Sequence, residues 1–579
     1  MEFKQKAEEK KMSMSKNIAR LAVTAGLTAA LSFGGVMAPV TMAFAAESDN
    51  TITIKQVDKN ATTTFKAYQI FKADVVDESG KPDKVVSNVK WAFDDESVQA
   101  AIIGAINGRY PNALKSDAKA PDVADWLTAN VKDTTKETRV DKDSVLNDIA
   151  KVVKNKVEPT GDSFEAGFPF EPKNAADNTP NTGYYLFLTD DAGIGQKTEN
   201  KKNTGTSPIF AVVGGSAVEV TEKTSIPTVE KKIRDDKPYS DWADKADSQM
   251  GQDVHYRLTG TVADNIATFD TYYYEFNDVL SAGLTANVGT IEVKIGDKTL
   301  LRNATEGDKT GYDVSTDDAT NTLTVKFTDL KTAASKVGAM LDGRSNVVVT
   351  YTAKLDHEKV DKVTVGGEGN PNSVKLIYSN NPMSNGKGES VSDTVRDYTY
   401  ALKLVKEDAA DETTKLDGVK FTIQATGADE GDGTQFVQKD GSLGSTAHEF
   451  ATDAKGEINI KGLDAGTYTV KETHTLDGYN TLPGFTFTIA TDEGDLGKTE
   501  EQGTTLTVNA SKDGSNLVLT PSFDKGTVTL TVQNKKGSGL PLTGLNGVTF
   551  TWIAGGAVLV IGVAHLIRSR KQAEESEQE

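Results

Sequence analysis

Residues Gly466-Thr-Tyr-Thr-Val-Lys-Glu-Thr-His-Thr-Leu-Asp-Gly-Tyr479 open with alternation. Tyr468, Val470 and Glu472 fall on one side of an extended chain. A period of two argues a strand, and the apolar members mark that side as the buried one, so Glu472 points inward. Two further segments repeat the design. In Tyr400-Ala-Leu-Lys-Leu-Val-Lys406, residues Tyr400, Leu402, Leu404 and Lys406 share a face, while Lys403 faces out. In Val528-Thr-Leu-Thr-Val-Gln-Asn534, the shared face is Val528, Leu530, Val532 and Asn534. Each inward apolar row ends in one polar residue: a Glu, a Lys and an Asn.

Burying these groups costs free energy unless they are paired. Desolvation lowers the Lys pKa and raises that of the Glu. A neutral amine is a nucleophile, and a protonated Glu can polarise an Asn amide and shuttle protons. The product would be a Lys–Asn isopeptide bond with loss of ammonia. A buried ion pair beside an amide uses the same residues, and alternation alone leaves both open.

A second set lies upstream. Val229, Lys231 and Ile233 alternate, with Lys232 outside. Tyr272, Tyr274, Phe276 and Asp278 form an inward row. Val374, Leu376 and Tyr378 form another, with Asn372 and Asn380 at its two ends. The same period recurs in Thr51-Ile-Thr-Ile-Lys55, and the run Val347-Val-Val-Thr-Tyr351 is β-branched. Gly, Asn and Asp clusters separate such runs, which predicts a mainly β chain of tandem immunoglobulin-like β-sandwiches. Helices are expected over Glu96–Ile106 and Ala120–Val131. Two stretches have linker composition, Thr221–Pro227 and Asn380–Asp397. They divide the chain into domains at 46–222, 228–395 and 396–536.

Gly466–Tyr479 resembles the E-box of the collagen-adhesin B-type (CnaB) domain of Gram-positive pilins. Lys406-Glu-Asp408 and Leu416-Asp-Gly-Val-Lys-Phe421 resemble its opening strands, and Asn534 its last strand. The resemblance implies that Glu472 catalyses a Lys406–Asn534 bond. The chain departs from the pattern at His474-Thr-Leu-Asp477, where an Ala-Pro step is usual; the expected effect is on a loop and not on the inward Glu. Pro227-Thr-Val-Glu-Lys231, Asn277-Asp-Val-Leu280 and Tyr378-Ser-Asn-Asn-Pro382 resemble the middle, CnaA-like domain of sortase-assembled backbone pilins. That implies a Lys231–Asn372 bond with Asp278 as catalyst and Asn380 as the alternative partner. Thr64–Phe71 and Gly183–Phe187 resemble the N-terminal domain of such pilins, without a legible Lys–acid–Asn set.

Val218-Glu-Val-Thr-Glu-Lys223 stands where that SpaA-type family carries its pilin motif, usually Val-x-Val-Tyr-Pro-Lys. Thr221-Glu222 replaces the Tyr-Pro pair. With Val218 and Val220 inward, Lys223 is left outside, and the resemblance makes it the lysine that joins subunits. Lys197, Lys231 and Lys232 are its competitors.

The ends read as addresses. Lys4, Lys6, Lys10, Lys11, Lys16 and Arg20 precede an apolar run, Leu21–Val40, and the small-x-small step Ala43-Phe44-Ala45. This is the pattern of a secretory signal peptide over 1–45, cut after Ala45 or next best Ala46, with Met12 and Met14 as alternative starts. Near the other end, Leu540-Pro541-Leu542-Thr543-Gly544 precedes an almost uncharged run, 548–567, of bilayer-spanning length, and then Arg568, Arg570 and Lys571, which open a cytoplasmic tail over 568–579. The order resembles the LPxTG cell-wall sorting signal, which sortase cuts between Thr and Gly. The implied location is the wall or a surface pilus of a Gram-positive bacterium.

Composition narrows the function. With 64 basic and 84 acidic residues the net charge is −20, which argues against nucleic acid. Cys is absent, which removes disulfides, Cys-based metal sites and thiol nucleophiles; five His leave little room for a His-based metal site. No cofactor or metal is expected. The chain carries no Ser–His–Asp order and no paired carboxylates in a catalytic context, so beyond self-directed bond formation it reads as a non-enzyme. Two functions fit: the backbone of a covalent pilus, Thr543 of each subunit joined to Lys223 of the next, or a monomeric wall-anchored adhesin. The expected partners are sortase, further copies of the chain in a head-to-tail polymer, tip or ancillary pilins and peptidoglycan. A host surface ligand is left open.

Overall fold

The computed structural model describes residues 50–55, 63–77, 84–131, 140–194, 205–222, 226–234, 241–426, 435–490, 507–510, 517–522 and 526–537. The signal segment with Ala43 and Ala45, Lys197, Lys223, the 540–544 motif and the 548–567 run lie outside these residues. No helix among the described residues is long and apolar enough to cross a membrane.

The chain is mainly β, in three successive pairs of sheets. The first pair holds strands between Ile52 and Thr221, the second between Val229 and Tyr398, and the third between Tyr400 and Asn534. Alternation drives all three. In Asn370–Ser379 every second residue is buried, and Thr527–Asn534 follows the same rule.

The first module differs in packing three longer helices against its sheet. Helices Glu96–Arg109 and Ala120–Asn130 occupy the expected stretches, with the first running further than expected. A third helix, Val145–Lys156, is an addition. Its signals are Ser144, whose hydroxyl accepts from the Asn147 N–H at 3.1 Å, and the inward stripe Val145, Ile149 and Val153. These helices pack Ile102, Leu127 and Ile149 against Ile70, Phe71 and Leu186 of the sheet.

The polar stretch Asn380–Asp397 is not a linker. It forms strands Lys387–Glu389 and Asp393–Tyr398 in the seven-stranded sheet of the second module. Its inward strand members, Val395 and Asp397, are fully buried. Thr399 alone separates Tyr398 from the first strand of the third module, Tyr400–Asp408.

A buried amide closes the joint between these modules. Gln249, 5% exposed, donates from Nε2 to the carbonyls of Gly441 and of Gly462, the latter at 2.8 Å. Its Oε1 accepts from the Asp464 N–H and the Tyr468 hydroxyl, both at 3.1 Å. Gly462 sits at φ +90°, and a Cβ there would lie 2.7 Å from Met250. Gln249→Ala removes every one of these bonds and should weaken the docking of the two modules by about 2–4 kcal/mol. Calorimetry should then show the unfolding transitions of the two modules further apart than in the native chain.

Candidate functional site

In the third module, strand Tyr400–Asp408 runs parallel to Thr527–Asn534, with Lys406 beside Val532 and Asp408 beside Asn534. Lys406 and Asn534 therefore share the inner face of one sheet. Glu472 comes from Gly466–His474 in the facing sheet. All three are buried: Lys406 and Asn534 at 0% exposure and Glu472 at 4%. The Lys406 amine donates to Asn534 Oδ1. Glu472 Oε2 lies 3.4 Å from that amine, and its Oε1 accepts from Asn534 Nδ2 at 2.8 Å. One carboxylate thus touches both the nucleophile and the leaving nitrogen. Burial pushes the Lys406 pKa down to about 8, against the opposing pull of Glu472.

The departure at His474–Asp477 reaches the site after all. The Thr475 hydroxyl accepts from Asn534 Nδ2 at 2.8 Å, holding the amide from a second side. Sequence reading placed this residue in an indifferent loop. It stands three past Glu472, just beyond the strand end at His474, where alternation no longer assigns a direction.

The second module assembles the same chemistry with the sheets exchanged. Asp278 lies in Tyr274–Leu280 and Asn372 in Asn370–Ser379, adjacent strands of one sheet, with Asp278 beside Val374. Lys231 crosses from the other sheet, where it sits beside Leu258. Their exposures are 0% for Lys231 and Asn372 and 1% for Asp278. The Lys231 amine donates to Asp278 Oδ1, and burial pushes its pKa down to about 8. Tyr351, which closes the β-branched run 347–351, stands in the middle. Its hydroxyl donates to Asp278 Oδ2 at 2.6 Å, accepts from Asn372 Nδ2 at 2.8 Å, and lies 3.2 Å from the lysine nitrogen.

Asn380 is not at this site. Eight residues along the strand direction place it roughly 25 Å from Asn372. There its carbonyl accepts from the Gly205 N–H at the joint with the first module. In the first module the buried Lys84 donates to the carbonyls of Gly214 at 2.6 Å and Ser216 at 2.7 Å and pairs with Asp77, a tie between strand ends.

The candidate linking residues separate by access. Lys231 is enclosed, and Lys232 is half-buried and paired with Asp244 at 2.6 Å. Val218 and Val220 face inward, as alternation requires, and Glu222, which follows their strand, is buried.

Residues 401–505 match the family model of the SpaA prealbumin-like fold domain. That span contains Lys406 and Glu472. Among solved structures, the chain is similar to the T6 backbone pilin of serotype M6 Streptococcus pyogenes, described as a modular three-domain structure decorated with variable loops and extensions. The two are 16% identical over 85% of this chain and 100% of that one, with a TM-score of 0.50. The full-length major pilin SpaD from Corynebacterium diphtheriae is 17% identical over 86% and 99% of the respective chains, with a TM-score of 0.43. BcpA, the major pilin subunit of Bacillus cereus, is 13% identical over 85% and 99%, at 0.36. No curated protein matches. The S. pyogenes likeness shows a shared three-domain fold.

Proposed function

We infer that this chain is the backbone subunit of a sortase-assembled pilus on a Gram-positive surface, hardened by two intramolecular Lys–Asn bonds. The observation that carries the reading is the pair of enclosed lysine–acid–asparagine clusters, built with exchanged sheets in successive modules. A lysine with a pKa near 8 is neutral in about one molecule in ten at pH 7, against about one in three thousand for an ordinary lysine. The Lys406 amine attacks Asn534 Cγ, Glu472 takes a proton from the amine and returns one to Nδ2, and ammonia leaves. Neither acid is consumed. The C-terminal sorting signal and Lys223, which alternation leaves on the outer side, supply the donor and acceptor for polymerisation.

Intact mass tests the bonds. The chain expressed from Ala46 to Thr543 should be lighter than its sequence by two ammonia molecules, about 17 Da each. Glu472→Ala should restore one loss and Asp278→Ala the other. A mass equal to the plain sequence would remove the chemistry from the reading.

A further inference from the structure

The two clusters solve one problem in different ways. Glu472 reaches from the opposite sheet to both the lysine and the departing nitrogen. Asp278 has one methylene fewer and lies on the same sheet as its asparagine. Its Oδ1 meets Lys231, and its Oδ2 meets the Tyr351 hydroxyl, which in turn meets Asn372 Nδ2. The carbonyl oxygen of that amide, Asn372 Oδ1, is buried without a hydrogen-bond partner among the described residues. Activation of this amide therefore comes from its nitrogen side.

We propose that Tyr351 is a catalytic residue of the Lys231–Asn372 bond, relaying the proton from Asp278 to the departing Asn372 nitrogen. The inference rests on the bond-forming reading above. Lys231 first gives a proton to Asp278 Oδ1 and attacks Asn372 Cγ as the neutral amine, forming the Nζ–Cγ bond. Tyr351 passes its hydroxyl proton to Nδ2 and takes the replacement from Asp278. The Cγ–Nδ2 bond breaks and ammonia leaves. The second proton of the attacking nitrogen goes to Asp278, which hands its surplus proton to the departing ammonia; the nitrogen leaves as ammonium, and Tyr351 and the carboxylate end as they began. Burial, followed by the Asp278 charge, holds the Tyr351 pKa well above its ordinary value, so the hydroxyl stays protonated until the amide calls for it. Stacking on Tyr256, ring centroids 5.3 Å apart, fixes the ring.

The test follows bond formation at Lys231–Asn372 by peptide mass mapping after expression of the 46–543 chain. Tyr351→Phe keeps the ring and should slow this bond about a hundredfold or more, while Lys406–Asn534 forms normally in the same molecules. Adding Asp278→Glu to Tyr351→Phe lengthens the acid toward the amide and should recover much of the rate. Equal rates for wild type and Tyr351→Phe would overturn the relay, and so would a double variant as slow as the single one, which would mark Tyr351 as packing. A wild-type chain without the Lys231–Asn372 link would instead remove the bond-forming reading for this module, and the relay with it.

Discussion

Cells carrying Lys223→Ala should yield a single wall-anchored species on a denaturing gel of wall extract, where wild-type cells yield a ladder of high-mass bands. Polymerisation needs an acyl donor and an amine acceptor on different subunits. In the proposed reaction Thr543, within its intact Leu540–Gly544 signal, is the donor. The acceptor amine must reach an enzyme-bound thioester. Lys231 and Lys406 are fully enclosed, and Lys232 is held by Asp244, so these lysines are poor acceptors. Joining one end of a subunit to a lysine near its first inter-module joint is a heterologous contact that does not close, and it propagates as a fibre. Folding and both internal bonds should be untouched by the substitution. A persisting ladder would shift the role to another lysine, Lys197 first. A sharp single band from wild-type cells would favour the monomeric adhesin.

Lys406→Ala should lower the melting temperature of the third module by about 10–20 °C and open it to protease. The proposed Lys406–Asn534 bond would tie the first strand of the module to its last. Closing so long a loop stabilises by about 4–5 kcal/mol in the chain-entropy account. The variant also removes the buried nitrogen that Glu472 Oε2 faces, which adds to the loss. Lys403→Ala is the control. Lys403 is 36% exposed and pairs with Glu457 at 2.8 Å, an arrangement that contributes about 0–1 kcal/mol. Equal shifts from the two variants would contradict the strand phase on which the site is built.

Alternation made the inward polar residues legible because each one ends an apolar row. Lys406, Glu472, Asn534, Lys231, Asp278 and Asn372 all obey it, and the fold class followed from the same period. Tyr351 obeys it too and was passed over for that reason: a tyrosine closing a row of valines looks like core, and its hydroxyl acquires meaning only from strands far away in sequence. Thr475 was missed because it follows a strand end, where phase no longer fixes direction. The choice between Asn372 and Asn380 could not be read at all, since both end the same row; register across the sandwich decides it. Val145–Lys156 was a legible helix, capped and striped, overlooked beside the stronger β signal. Asn380–Asp397 misled because composition was taken where alternation should have been: Val395 and Asp397 are buried members of a strand.

The exchanged layout of the two clusters bears on how a pulled fibre would stretch. Tension arriving at Tyr400 would cross from Lys406 to Asn534 and leave, so residues 407–533 would be slack under load. In the second module it would cross from Lys231 to Asn372 and must still travel along the chain to Tyr398. Nothing covalent spans residues 373–398; the antiparallel pairing of Asn370–Ser379 with Asp393–Tyr398 holds them. Peeled apart, that stretch could lengthen to roughly 90 Å. The give of the filament would then lie in the middle of each subunit, in a short hydrogen-bonded hem between two welded frames.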